Sequence, residues 1–193
     1  HQALEDIAIT RVLPGMTVVV PCDYEETRKA TIALANMKGP AYFRFAREKT
    51  AVITTTKTPF IIGKANVLTT GKDVTIVACG PLVYEALMAA KQLEAKGISC
   101  EVNSHTIKPL DIATITKSVK KTGCCVTVEE HQITGGLFGA VAEGLARTFP
   151  IPIEAVGMPD SFGESGEPSE LLKKYGMTDK AIVKAALKSL KRK

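Results

Sequence analysis

Apolar positions along the chain switch between helical and strand spacing. Within His1–Val12, Leu4, Ile7 and Ala8 follow the i, i+3, i+4 spacing of a buried helical face, with no strand, turn or cap ahead of them. A one-sided apolar face needs a cover, so the opening reads as part of a larger protein. Met16–Val20 is a short β-branched run ended by Pro21, and Asp23 is placed to cap a helix over Tyr24–Met37 whose inner stripe is Ala30, Leu34 and Met37. Gly39-Pro40 breaks that helix, and Ala41–Ala46 reads as a strand. One helix and one β-α-β unit are too small for a whole α/β domain.

From Glu48 to Pro59 periodicity gives way to the polar run Thr54-Thr55-Thr56-Lys57-Thr58-Pro59, which reads as a linker. Beyond it, strands are predicted at Val67–Thr69, Val74–Cys79, Ser99–Asn103, Cys124–Val128 and Ile153–Val156. Helices are predicted over Pro81–Lys96, Asp111–Lys121, Gly136–Thr148, Pro168–Tyr175 and Asp179–Leu190. Continuous apolar strands alternating with helices predict a mostly parallel sheet covered on both faces. Gly97 and Gly176 are placed to stop helices, Pro168 sits in a first turn, and Thr178 with Asp179 opens the last helix. The expected fold class is α/β: a partial α/β domain over 1–58, a linker at 59–63, and a small doubly wound, mostly parallel sheet over 64–193.

Composition narrows the class. With 193 residues and 45% hydrophobic content, the chain can build one large or two small cores. No run approaches the roughly 18 apolar residues of a membrane span, and the first residues lack a signal-peptide pattern, so a cytoplasmic protein without a membrane partner is expected. Cys22, Cys79, Cys100, Cys124 and Cys125 are odd in number and lack metal-ligand spacing, which reads as buried reduced thiols. The net charge of +5 is densest at Lys184, Lys188, Lys191, Arg192 and Lys193. Aromatics are only 5% and Trp is absent, so this reads as a solvated, fraying helix end rather than a nucleic-acid surface.

The first strand-to-helix turn, Ala78-Cys79-Gly80-Pro81-Leu82, has one glycine where a dinucleotide fingerprint needs three, and Gly135-Gly136-Leu137-Phe138-Gly139 does not match either. No hydrolase set and no Walker loop stands out. Arg44 and Arg47 close the predicted strand Tyr42–Arg47, three apart and on opposite faces if the strand continues. The C-terminal ends of parallel strands are where α/β ligand sites form, and a guanidinium there suits a phosphate or carboxylate, or else pairs with surface carboxylates. Glu129, Glu130 and His131 likewise end a strand, fit either for acid–base work or for a domain or subunit contact, with the contact favoured. His105 reads as a loop residue.

At these same residues the sequence resembles transketolases, thiamine-diphosphate enzymes that move two-carbon ketol units between sugar phosphates. The resemblance runs through His1–Asp6, Pro14-Gly15-Met16 to Pro21-Cys22-Asp23, the Arg44–Arg47 segment, Thr106–Asp111, Thr127–His131 with Gly135-Gly136, and Ser165–Leu172. It implies that residues 1–58 are the last part of a pyrimidine-binding domain and 64–193 the family's C-terminal domain. Two residues carry over: His1, placed to hydrogen-bond hydroxyl or carbonyl oxygens near the reacting ketol unit, and Arg47, placed to clamp the sugar phosphate.

The resemblance also implies what lies elsewhere. The family's Gly-Asp-Gly motif for Mg²⁺ is missing from this chain, and the glutamate that activates the cofactor is expected ahead of His1. The cofactor supplies the chemistry, and the protein orients it. The expected function is that of a C-terminal segment or subunit of a pentose-phosphate transketolase, inactive alone, dimeric or hetero-oligomeric with an N-terminal half. The alternatives are a segment of deoxyxylulose-phosphate synthase or a 2-oxo acid dehydrogenase β subunit, or a non-catalytic dimerisation or regulatory module. With its core incomplete, the segment 1–58 is expected to be less protected from hydrogen exchange than 64–193.

Overall fold

The computed structural model describes residues 3–193. The first helix, α1 (Asp6–Arg11), starts later than its apolar spacing predicts. The reason is competition for backbone groups. The carbonyls of Ala3 and Leu4 accept from Arg44 Nη2 (3.2 Å) and Gln132 N (2.8 Å), and the amides of Ile7 and Ala8 donate to His131. Intrahelical bonds across those positions are thereby replaced.

After α1 come β1 (Thr17–Val19), α2 (Tyr24–Ala35) and β2 (Ala41–Phe43). β1 and β2 pair in parallel with Val18 opposite Tyr42. Asp23 caps α2, accepting from Glu26 N at 2.9 Å. The strand expected over Ala41–Ala46 stops at Phe43, because the last ladder bond runs from Arg44 N to Val19 O (3.0 Å) and β1 then ends before Pro21, which has no N–H to donate. The Thr-rich stretch is irregular yet fastened. Asp23 Oδ2 accepts from Ile53 N and Thr54 N (2.8 and 2.6 Å), and Lys29 Nζ donates to the carbonyls of Thr55 and Thr58 (2.5 and 2.6 Å).

The second unit comprises β3 (Asn66–Thr69), β4 (Val74–Ala78), α3 (Leu82–Glu94), β5 (Cys100–Ser104), α4 (Ile112–Thr122), β6 (Cys125–Gln132), α5 (Leu137–Thr148), β7 (Ile153–Met158), α6 (Pro168–Lys174) and α7 (Asp179–Leu190). Its sheet has the order β3-β5-β4-β6-β7 and is parallel except for β3, which runs antiparallel to β5. Gly97 and Gly176 adopt positive φ (76° and 71°) directly after α3 and α6, conformations that suit glycine as a helix stop. All five cysteines are free and buried.

Each face of this sheet has its own core. One joins Val74, Ile76 and Val102 to Leu93 of α3 and Ile182 of α7. The other joins Val77 to Ile115 of α4 and Leu137 and Val141 of α5, and it continues into Ile7, Val18 and Val20 of the first unit. The apolar face of α1 is thus covered from within this chain. The basic tail is not a fraying end either: Lys188 and Arg192 pair with Glu154 (2.8 and 2.5 Å), and Lys193 Nζ donates to Asp73 O (2.9 Å).

Candidate functional site at the carboxyl ends of β1 and β2

Where β1 and β2 end, the start of α2 and Pro81 ahead of α3 close a hollow of about 480 Å³. Tyr24, Phe45, Arg47, Glu48 and Lys49 line it. Tyr24 and Phe45 are 68% and 60% exposed, two aromatic surfaces on an open wall. Arg47 and Lys49 bring two cations to the same wall against the one carboxylate of Glu48, while Asp23 is committed to capping α2 and holding the linker. Burial works against the Asp23 charge, yet its bonds from Glu26, Thr54 and Ile53 outweigh this and hold its carboxyl below the usual range. The hollow can therefore receive a small anion carried on a polar molecule. A smaller hollow of about 260 Å³ beside β7 and α7 contains Glu154 and Lys188, which pair with each other and leave no acid–base set.

The two arginines that sequence spacing grouped together are separated by the structure. Arg47 is exposed at the hollow, whereas Arg44 turns inward. Arg44 Nε pairs with Asp6 Oδ2 (3.1 Å), Nη1 donates to Glu130 O (2.8 Å), and Nη2 donates to Ala3 O. Tyr42 donates its hydroxyl proton to the same Asp6 oxygen (2.8 Å), and burial with that carboxylate pushes the phenol up to about 12. His1 lies outside the described residues.

Glu129, Glu130 and His131 lie inside β6 rather than just beyond it, because the strand continues past a register shift after Val128 to Gln132. Both Glu129 oxygens accept from the first amides of α5, Leu137 N (2.6 Å) and Phe138 N (2.8 Å). Burial nonetheless pushes this carboxyl up to about 8. His131 Nε2 accepts from Ile7 N (3.1 Å) and Ala8 N (3.3 Å), the first turn of α1, so the proton of the neutral ring sits on Nδ1 and is donated to Gln132 O (2.7 Å). Burial lowers the His131 pKa, in keeping with that neutral form. Two alternate residues of one strand, Glu129 and His131, thus cap two helices, and a contact role is the one favoured from sequence.

Sequence reasoning missed Lys108. Its backbone pairs with Val18 on the side of β1 away from β2, and its ammonium donates to Arg11 O and Leu13 O (2.9 and 2.6 Å) at the end of α1. Arg11 in turn grips Glu143 of α5 through two bonds (2.9 and 2.8 Å). The sequence signal was that Lys108 falls in Thr106–Asp111, one of the segments that carry the family resemblance. His105, expected in a loop, is buried directly after β5. Neither ring nitrogen has a partner among the described residues, and burial lowers its pKa to about 4.

Among the described residues, no group of three or more His, Cys, Asp or Glu side chains could hold a metal ion, and no helix is long and apolar enough to cross a membrane. Residues 63–182 match the family model of the transketolase C-terminal domain, and residues 1–52 match that of the transketolase pyrimidine binding domain. The chain belongs to the transketolase family. It is 43% identical to the 6-deoxy-6-sulfo-D-fructose transketolase subunit of a Clostridium species, covering 100% of this chain and 60% of that protein. It is 39% identical to an apulose-4-phosphate transketolase subunit of Phocaeicola vulgatus, covering 100% and 62%. Among solved structures, a split-gene transketolase described as an inactive beta4 tetramer superposes with a TM-score of 0.97 at 45% identity, covering 100% of this chain and 64% of that one. The chain therefore spans about three fifths of the length of these transketolase relatives.

Proposed function

We propose that this chain supplies the end of the pyrimidine-binding domain (1–58), a short linker (59–63) and the C-terminal domain (64–193) of a two-subunit transketolase that transfers a two-carbon ketol unit between sugar phosphates. The reading is carried by one observation: Arg47, a guanidinium with no partner among the described residues, stands at the carboxyl end of a parallel pair in a chain matched throughout by transketolase subunits. The named substrates of those relatives are theirs. For this chain the substrate class is a phosphorylated sugar, since the planar fork of Arg47 matches a phosphate bidentately.

Thiamine diphosphate with Mg²⁺ supplies the nucleophilic carbon in such an enzyme. Among the described residues no cluster of three or more His, Cys, Asp or Glu side chains could hold that metal. We assign its site to a partner subunit carrying the diphosphate domain, in a hetero-oligomer built from both chains. What this chain does is bind and orient. Arg47 anchors the phosphate end of the sugar, and His1 hydrogen-bonds the oxygens near the reacting carbons. Fixing both ends converts loose binding into one reactive pose.

The test is ketol transfer from xylulose phosphate to ribose phosphate with thiamine diphosphate and Mg²⁺. It is run with the full-length subunit that contains this chain, alone and mixed with a subunit bearing the diphosphate domain. Activity in the mixture alone is expected; activity in neither overturns the proposal. Arg47→Ala should raise KM for the phosphorylated acceptor about 10–100-fold at near-constant kcat, the loss of charged hydrogen bonds worth about 1.5–3 kcal/mol.

A further inference from the structure

Two aromatic rings stand in water at the hollow between β1, β2 and α2 without belonging to either apolar core. Tyr24 is 68% exposed and Phe45 60%, and neither joins the residues packed on the two faces of the sheet. The chain has only four tyrosines and six phenylalanines, yet two of those rings meet in this one concave place. Large apolar surface gathered at a hollow marks a spot that a ligand covers.

Both rings are carried on firmly held backbone. Tyr24 is the first residue of α2. Just ahead of it Cys22 N donates to Glu26 Oε2 (2.7 Å), and Asp23 accepts from the amides of Glu26, Ile53 and Thr54 (2.9, 2.8 and 2.6 Å). Phe45 follows Arg44, whose amide donates to Val19 O (3.0 Å) and whose guanidinium is fixed by Asp6 and Glu130. The Phe45 ring rests on that of Phe43 in tilted contact, 5.2 Å between centroids. Rings placed in advance lose little freedom when a ligand covers them, which is what a selective wall needs.

The hollow also carries Arg47 and Lys49 against Glu48, and at about 480 Å³ it has room for more than a lone tetrahedral anion. A guanidinium reads phosphate oxygens but not the group that the phosphate is attached to. An aromatic face does the complementary task. The polarised C–H bonds of an oxygen-bearing carbon meet its negative π-cloud, and both surfaces shed water.

We propose that Tyr24, with Phe45, is a specificity-determining residue that reads the carbons next to the phosphate, so that the hollow recognises a phosphate ester of a polyol or sugar in preference to the phosphate group alone. The inference rests on the reading of Arg47 as the phosphate anchor given above. It assigns the organic part of the ligand to two rings and the anion to the cations beside them.

The experiment measures inhibition of ketol transfer by two unreactive probes, inorganic phosphate and glycerol 3-phosphate, in the two-subunit enzyme assembled from full-length subunits. It is run at about pH 8, where a phosphate ester is fully a dianion. Glycerol phosphate is expected to inhibit about tenfold more tightly than inorganic phosphate, the scale of one well-placed apolar contact. Tyr24→Ala should cut that ratio about threefold, and Tyr24→Ala with Phe45→Ala should bring it to within about twofold of unity, with the affinity for inorganic phosphate unchanged. Tyr24→Phe, which keeps the ring, should keep the ratio. Arg47→Ala should weaken both probes about tenfold or more. A ratio near one in the parent enzyme, or a ratio that the double variant leaves unchanged while Arg47→Ala weakens both probes, overturns the inference and leaves the phosphate reading standing. Inhibition by either probe that Arg47→Ala does not alter overturns the phosphate reading, and this inference with it. Failure of the double variant to assemble with its partner makes the rings a subunit contact and overturns the inference too.

Discussion

Replacing Gly136 with alanine tests the packing around β6 with a single methyl group. Gly136 has φ −81°, so the substitution brings no left-handed strain, and its cost is steric. The new Cβ would lie 2.7 Å from His131 Nδ1 and 2.8 Å from Glu129 Cδ, and both side chains are almost fully buried. Overpacking of this kind costs about 1–3 kcal/mol. Displacing Glu129 also frees the amides of Leu137 and Phe138 at the start of α5, a lost cap worth about 1 kcal/mol. The expected total is about 2–4 kcal/mol, read as a fall in the urea midpoint at constant slope. Gly139→Ala is the control, since its Cβ would meet Arg11 Nη2 at 3.2 Å and Glu143 Oε1 at 3.7 Å, both at the ends of long side chains. There the helix gains up to about 1 kcal/mol from alanine. In a Glu129→Ala background the cost of Gly136→Ala should shrink by at least about 1 kcal/mol, because the nearer of the two groups it collides with is gone. A Gly136→Ala protein within about 0.5 kcal/mol of the parent, or strict additivity with Glu129→Ala, would refute the reasoning.

Stability should respond to pH from two directions. His131 and His105 have folded pKa values below the ordinary 6.5, to about 4 for His105, so their contribution is full above 6.5 and is lost as pH falls toward 4; chemical denaturation across pH 4–7 should show this loss, reduced in His105→Gln. Glu129 works the other way: its carboxyl is raised from 4.5 to about 8, so its share is full below 4.5 and lost as pH rises to 8, and Glu129→Gln should flatten the alkaline limb seen in the same titration. Hydrogen exchange should divide residues 1–58 internally, with Ile7 and Val18 protected as well as Val77, and β2 and α2 exchanging faster, since β2 has one unpaired edge and α2 buries only Glu26 and Ala30; uniform exchange across α1 and α2 would contradict this.

The alternation of apolar strands with capped helices was legible because each of those signals is local. Asp23 caps α2, and Gly97 and Gly176 stop their helices, through neighbours within a few residues. What stayed hidden is satisfied from far along the chain. Glu129-Glu130-His131 reads as the end of a strand to any scale that treats charge as exposure, yet its polar atoms meet amides of Ile7, Ala8, Leu137 and Phe138, and the strand runs on. Arg44 and Arg47 look alike in sequence, and only the end of the ladder at Val19 turns one inward and leaves the other at the hollow. The cover that the apolar face of α1 needs was not legible for the same reason, since Val77, Ile115 and Leu137, which share its core, lie 70 to 130 positions away. Several of these features belong to the seam between the two units, where His131, Arg44 and Lys108 converge on α1 and Arg11 reaches from it to Glu143. A helix of six residues is too short to be stable by its own bonds, so its position is set by those partners and by the core around Ile7. It follows that substitutions in the C-terminal domain at this seam should raise the amide exchange of Ile7 and Ala8 more than substitutions of equal size on the β3 or β7 edges of the same sheet.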